Sequence, residues 1–250
     1  MKKMGLMGAM PEEMEQIVAG MEQAEVQVHG NRKYYTGYLK GVPVVAVFSR
    51  WGKVAAATTA TTLIELFGVN ELVFTGVAGG VSACLSVGDI VVAERLIQHD
   101  MDARPLMPRY EVPLTGKQFF ETDAALSKRV FDASAGMLRQ EAGFLQQLRE
   151  NGMGRPGLYS GDIASGDQFI GSTQVKEAIR DRLPTVLCVE MEGAAVAQVC
   201  HDFGVPLAVV RVISDTADES SHELAIQFVD RYAARYLHLI IEHYITENHT

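Results

Sequence analysis

Four short segments of this chain place small, acidic or guanidinium-bearing residues at the ends of apolar runs, where α/β sheets open their ligand crevices. In Gly8-Ala9-Met10-Pro11-Glu12-Glu13-Met14, two carboxylates follow an apolar strand and open a helix. Acids also suit a first helical turn through the helix dipole, and alone this pair reads mainly that way. The run Gly76-Val77-Ala78-Gly79-Gly80 reads as a glycine turn, whose N–H groups approach a ligand closely because glycine carries no Cβ. It lacks the full dinucleotide-binding spacing. Val189-Glu190-Met191-Glu192-Gly193 sets two carboxylates against an apolar strand, at a desolvation cost. A helix cap explains one of them equally well. In Val210-Arg211-Val212-Ile213-Ser214-Asp215, Arg211 interrupts an apolar strand and requires a partner, for which a carboxylate is the expected choice. Asp215, just past the predicted strand end, either meets a ligand or caps the next helix.

The elements that must position these residues follow from periodicity and breakers. Strands are predicted over 4–8, 33–38, 42–49, 71–75, 89–94, 95–99, 157–163, 185–189 and 206–213, with a hairpin-like turn at Lys40-Gly41. Helices are predicted over 12–21, 53–67, 123–135, 138–151, 173–182 and 193–203, and one long amphipathic helix runs from about 219 onward. Residues 101–120 hold Pro105, Pro108 and Pro113 with little periodicity, and read as a long ordered loop or flap. Strands alternating with helices predict an α/β fold: one three-layer α/β/α domain over residues 1–250 around a central mixed sheet.

Composition narrows the function classes. Of 250 residues, 48% are apolar and 21% charged, which excludes a disordered chain. With 22 Lys plus Arg against 31 Asp plus Glu, the net charge is −9. That balance lacks the field of a nucleic-acid or polybasic membrane binder, but leaves room for an uncharged nucleoside. Cys84, Cys188 and Cys200 sit in apolar stretches and are expected as buried free thiols. No Cys/His pattern has zinc spacing, so no metal is expected. The uncharged stretch 72–88 is broken by Gly76, Gly79, Gly80 and Gly88, which reads as strand, turn and strand rather than a membrane span. Without an address or anchor signal, a cytoplasmic location is expected.

Taken together, the four segments are far more specific than singly. They join Trp51-Gly52-Lys53-Val54-Ala55-Ala56, Val87-Gly88-Asp89-Ile90-Val91-Val92, Ser160-Gly161-Asp162 and Ser165-Gly166-Asp167-Gln168-Phe169-Ile170. In this order they resemble the purine nucleoside phosphorylase/hydrolase superfamily, and within it the 5′-methylthioadenosine/S-adenosylhomocysteine nucleosidases. The resemblance implies a nucleoside phosphorylase-like fold, a homodimer, and a small-molecule nucleoside substrate handled without cofactor. It implies hydrolysis of the N-ribosidic bond of 5′-methylthioadenosine, S-adenosylhomocysteine or a related 5′-substituted adenine nucleoside, releasing adenine, as in methionine salvage. By position it makes Asp215 the general acid at the purine N7 and Glu13 the water-activating carboxylate, with Glu12 a less critical neighbour. Glu192 holds the ribose hydroxyls and Met191 packs under the sugar. Phe169 stacks on adenine, Ile170 meets it through its backbone, and Arg211 orders the carboxylates. Val77, Ala78, Gly79 and Trp51 complete the substrate-binding set. The chemistry is consistent: cleavage places positive charge on the sugar and negative charge on the departing base, so acids in different environments play opposite roles.

Three departures bear on the substrate. Val77 stands where these nucleosidases usually carry Ser. Arg50-Trp51 stands where a small residue and Ile are usual, near the 5′ substituent, and Trp51 reads equally as a packing residue. The 101–120 loop, with Arg104, Arg109 and Tyr110, differs too and is expected to reach across a dimer. Competing readings are a phosphorylase that uses Arg50 to hold phosphate, a nucleoside-binding protein without turnover, and a hydrolase of a futalosine derivative. Glu13 opposes the phosphorylase, because a carboxylate at the point of attack repels phosphate.

Overall fold

The structure, a computed structural model, describes residues 3–249; the side chains of Glu13 and His249 lie outside the description. The chain begins with β1 (Met4–Gly8), α1 (Pro11–Ala19), β2 (Glu22–His29), β3 (Arg32–Leu39), β4 (Val42–Phe48) and α2 (Lys53–Glu65). It continues with β5 (Glu71–Gly80), β6 (Ile90–Gln98), β7 (Phe119–Glu121), α3 (Ala124–Gln140) and α4 (Ala142–Glu150). β8 (Leu158–Ser165), α5 (Thr173–Arg182), β9 (Val186–Glu190), α6 (Gly193–Phe203) and β10 (Leu207–Asp215) follow. The last helical stretch is α7 (Ser221–Phe228), a π-helical turn at Val229–Ala233, and α8 (Ala234–His249).

Alternation along the central strands builds the layers. Met4 and Leu6 of β1, Val44 and Ala46 of β4, and Val73 of β5 enter one core with α1, α3 and α8. Their neighbours Met7, Val45, Val47, Leu72 and Phe74 enter the other, with α2 and α6. The sheet between is mixed, as expected. β4, β1, β5 and β10 run parallel in that order. β10 also pairs antiparallel with β6, β6 parallel with β8, β8 parallel with β9, and β9 antiparallel with the end of β5. Five strands thus close on themselves, while β1, β4, β3 and β2 extend the sheet outward.

Several expectations are corrected. Residues 76–80 are not a turn: β5 continues through Gly80, paired with β10 as far as Gly79 and with β9 at Gly79 and Gly80. The glycines are needed because the backbone is crowded. A Cβ on Gly76 would lie 3.0 Å from Ala9 Cβ, and one on Gly79 would lie 2.8 Å from Asp215 Oδ1. Residues 89–94 and 95–99 form one strand, β6, with a register shift between Ala93 and Leu96 against β8. β2 was not anticipated, since this edge strand has almost no buried side chain to impose alternation. The break between α3 and α4 falls at Glu141, beyond the 136–137 expected. The single C-terminal helix carries a π turn. Cys84 is exposed in the connection after β5, whereas Cys188 and Cys200 are buried.

Candidate active site

Because β1, β4, β5 and β10 are parallel, their carboxyl ends share one edge of the sheet. β9 meets that edge where Val189 pairs with Gly79, which delivers the turn 190–192 to the same place. The four chemically loaded segments therefore converge. Asp215 is the last residue of β10 and 2% exposed, so it does not cap α7, which starts six residues later. Its Oδ1 accepts the Ala217 N–H at 2.9 Å, and its Oδ2 accepts the Ser214 hydroxyl at 2.8 Å. Asp215 lines one cleft with Gly79, Phe169, Ile170, Glu190 and Met191. Phe169 keeps a half-exposed ring, edge-on to His222, while Ile170 is buried.

The two acids of the β9–α6 turn have divided duties. Glu190 takes the capping role: its carboxylate accepts the N–H groups of Glu192 and Gly193 and the Ser165 hydroxyl. It is also the carboxylate partner expected for Arg211, with Arg211 Nη2 donating to Glu190 Oε2 at 2.8 Å. Arg211 is fully buried, lies over the Phe74 ring at 4.2 Å, and donates further to the carbonyls of Phe74 and Val210. Glu192 takes no part in that cap: it is buried, and its Oε1 accepts the Gly52 N–H at 2.9 Å.

Burial, reinforced by the charge of Glu190, pushes the Glu192 carboxyl above its ordinary value of 4.5. A carboxyl raised by folding favours the folded state fully only below its unfolded pKa. That benefit is lost as pH climbs through the folded value. Glu192→Gln keeps the acceptor for Gly52 and removes the charge. Its melting temperature is expected to match the parent near pH 4 and exceed it at pH 9. A gain of ~1 kcal/mol corresponds to about 2–4 °C in a chain of this length. Thermal melts across that range check it, and a constant difference at all pH values would refute it.

A clasp absent from the sequence reading holds Gly52 in place. Lys53 N–H donates to Asp167 Oδ1 at 2.8 Å, and Asp167 N–H donates to Asp100 Oδ2 at 2.9 Å. Lys53 Nζ closes the circuit on Asp100 Oδ1 at 2.7 Å and on Gln98 Oε1 at 3.0 Å. Buried His99 lies beside the clasp, its pKa lowered by burial, and a Cβ on Gly166 would run into its imidazole ring. Lys53 and Asp167 stood inside recognised motifs, but Asp100 offered no signal, since its partners are distant in sequence. Gly52 has φ 89° and ψ 157°, a region essentially reserved for glycine. A Cβ there would also lie 3.0 Å from Asp167 Oδ1. Gly52→Ala is expected to cost about 1–3 kcal/mol and, by withdrawing the N–H from Glu192, about tenfold in kcat/KM. Melts and steady-state kinetics check it; a variant with parental kcat/KM would show that the clasp does not serve Glu192.

The remaining expected residues sit as follows. Ala78 is buried in β5, and Val77 is partly buried opposite Val212. Trp51 is 63% exposed, so it is not a core packing residue, and its Nε1 donates to the Ala9 carbonyl at 3.0 Å. The backbone of Glu13 lies in the first turn of α1; its side chain lies outside the described residues. Arg104 and Arg109 of the 101–120 loop both pair with Asp102.

A closed mixed sheet, with a Glu-Met-Glu turn beside an Arg-bearing strand that ends in Ser-Asp, defines a class of nucleoside-handling proteins. The chain belongs to the Phosphorylase superfamily, whose sequence profile matches residues 3–246. It is 32% identical over 245 residues to a 5′-methylthioadenosine/S-adenosylhomocysteine nucleosidase of Chromohalobacter salexigens, covering 97% of this chain and 96% of that one. Among solved structures it is similar to futalosine hydrolase of Helicobacter pylori (32% identity, TM-score 0.84, 98% of each chain). It is also similar to the 5′-methylthioadenosine/S-adenosylhomocysteine nucleosidase of Streptococcus pneumoniae bound to the transition-state inhibitor MT-ImmA. That similarity has 32% identity and a TM-score of 0.83, covering 97% of this chain and 98% of that one.

Proposed function

We propose that this protein hydrolyses the N-ribosidic bond of 5′-substituted adenine nucleosides, 5′-methylthioadenosine and S-adenosylhomocysteine among them, and releases adenine. The observation that carries the reading is the cleft in which Asp215 faces Phe169, Ile170 and Met191, with Glu192 on the adjoining turn. In this reading adenine stacks on Phe169 and meets the Ile170 backbone, with Asp215 at N7. Glu192 accepts the ribose hydroxyls, Met191 packs under the sugar, and Glu13 activates water on the opposite face. Arg211 acts through Glu190, fixing the turn from which Glu192 projects. Loss of the base leaves a cationic sugar, which the carboxylates stabilise while Asp215 shares its proton with the departing purine.

The same reading takes residues 1–250 as one catalytic domain, working in the cytoplasm as a homodimer without cofactor. The exposed Leu106 and Leu114 of the 101–120 loop are suited to covering a neighbouring subunit. The test is adenine release from 5′-methylthioadenosine and S-adenosylhomocysteine, with and without inorganic phosphate. Release at the same rate in both conditions is expected. A strict phosphate requirement would make the enzyme a phosphorylase, and tight binding with no adenine released would make it a binding protein.

A further inference from the structure

We propose that the cleft edged by Arg32, Lys33 and Arg50 is a subsite for the negatively charged end of a nucleoside's 5′ substituent, a proposal that rests on the N-ribosidic reading above. The first argument is position. β10, β5, β1, β4 and β3 are consecutive neighbours in the sheet. Asp215 ends β10, α1 follows β1, Arg50 follows β4, and Arg32 and Lys33 open the antiparallel β3 at the same edge. Strands lie ~4.8 Å apart, so Asp215 and Arg50 are about 14 Å apart along that edge. A nucleoside with its base at Asp215 and its ribose at Glu192 sends its 5′ carbon toward β4. Arg50 is two residues from Gly52, whose N–H holds Glu192, a chain reach of about 7 Å at most.

The second argument is the chemistry of the cleft. Its volume is about 520 Å³, within the range of small-molecule sites. Met14, Val18, Tyr35 and Phe48 give it an apolar lining, and Glu15 is the acid among the described side chains that line it. Arg32 spends its donors on the carbonyls of Gly30, Ser49 and Ala55, and Arg50 donates to the Asn31 carbonyl. Among the described residues, no carboxylate lies within ion-pair distance of Arg32, Lys33 or Arg50. Other cations of the chain do find one: Lys53 has Asp100, Arg95 has Asp162, and Arg104 and Arg109 share Asp102. Of the described side chains lining the cleft, three are cationic and one, Glu15, is acidic, and this positive balance in a chain of net charge −9 is one that an incoming carboxylate neutralises. Trp51, tethered to Ala9 and largely exposed, offers a wall for the apolar part of the arm.

The experiment compares kcat/KM of the full-length enzyme for two adenine nucleosides with arms of equal length. They are 5′-S-(3-carboxypropyl)-5′-thioadenosine and its neutral carboxamide, with 5′-methylthioadenosine as the reference. The parent is expected to favour the carboxylate by about tenfold, as a charge-assisted contact provides. The preference should shrink with added salt. Arg50→Gln with Lys33→Gln should bring the ratio close to one, and Arg50→Lys should restore part of it. The ratio is the readout, so a general loss of activity cancels. Cleavage of 5′-methylthioadenosine with no preference in the parent, or a ratio unmoved in the double variant, would overturn the subsite alone. A phosphate-stimulated rate lost in the double variant would assign the cations to free phosphate and also overturn it. No adenine from any of the three nucleosides would overturn the N-ribosidic reading and the subsite with it.

Discussion

Asp215→Asn is expected to lower kcat for adenine release by about 10²–10⁴-fold, the usual contribution of a positioned acid. The melting temperature should stay within a few degrees of the parent. The substitution keeps volume and keeps an acceptor for the Ala217 N–H, the contact that fixes Oδ1 at 2.9 Å. What it removes is an exchangeable carboxyl proton beside the departing base. A purine leaving without that proton carries a full negative charge into a cleft that Glu190 still lines. The loss should therefore fall on kcat, with inhibitor binding still measurable, because the stacking and backbone contacts to adenine are untouched. A variant with parental turnover would remove Asp215 from the mechanism. A variant that unfolds would show instead that its hydrogen bonds to Ser214 and Ala217 hold the end of β10.

How far the residues announced this arrangement depends on how each feature is encoded. α6 coincides with its prediction over Gly193–Phe203, because small residues follow a clear break at the acidic turn. The lone cation in β10 demanded a carboxylate, and Glu190 supplies it. The choice between Glu190 and Glu192 was not legible. It turns on which carboxylate the α6 N–H groups reach, and on a Gly52 N–H 140 residues away. β5 was misread at its end because glycine signals both a turn and a crowded strand. The demand here came from Ala9 and Asp215, which no local pattern reveals. β2 failed for the opposite reason: with Val26 and Val28 exposed, its two faces look alike to the sequence. The candidate acids were thus nominated by four motifs read together rather than by any one local pattern, and Arg50 was singled out as a cation, while the clasp and the cleft that Arg50 shares with Arg32 and Lys33 came only from tertiary contacts.

Arg211→Met should have the largest effect on stability. The Arg211–Glu190 pair is buried on both sides, with side chains 0% and 2% exposed. Removing one partner strands the other charge, a loss of about 3–5 kcal/mol. At about 2–4 °C per kcal/mol, the melting temperature should fall by roughly 6–20 °C. The damage should also reach catalysis, since a Glu190 freed from Arg211 holds the N–H groups of Glu192 and Gly193 less firmly. The second variant decides the cause. Glu190→Gln alone leaves the guanidinium buried over Phe74 without its anion. Combined with Arg211→Met, it leaves no stranded charge, while the Gln oxygen can still accept from the turn. The double variant should therefore be more stable than the sum of the single losses allows, with a coupling of about 1–3 kcal/mol. Strictly additive losses in chemical denaturation would mean that the pair does not act as a unit. Arg211 would then contribute through its contacts with Phe74 and the carbonyls alone.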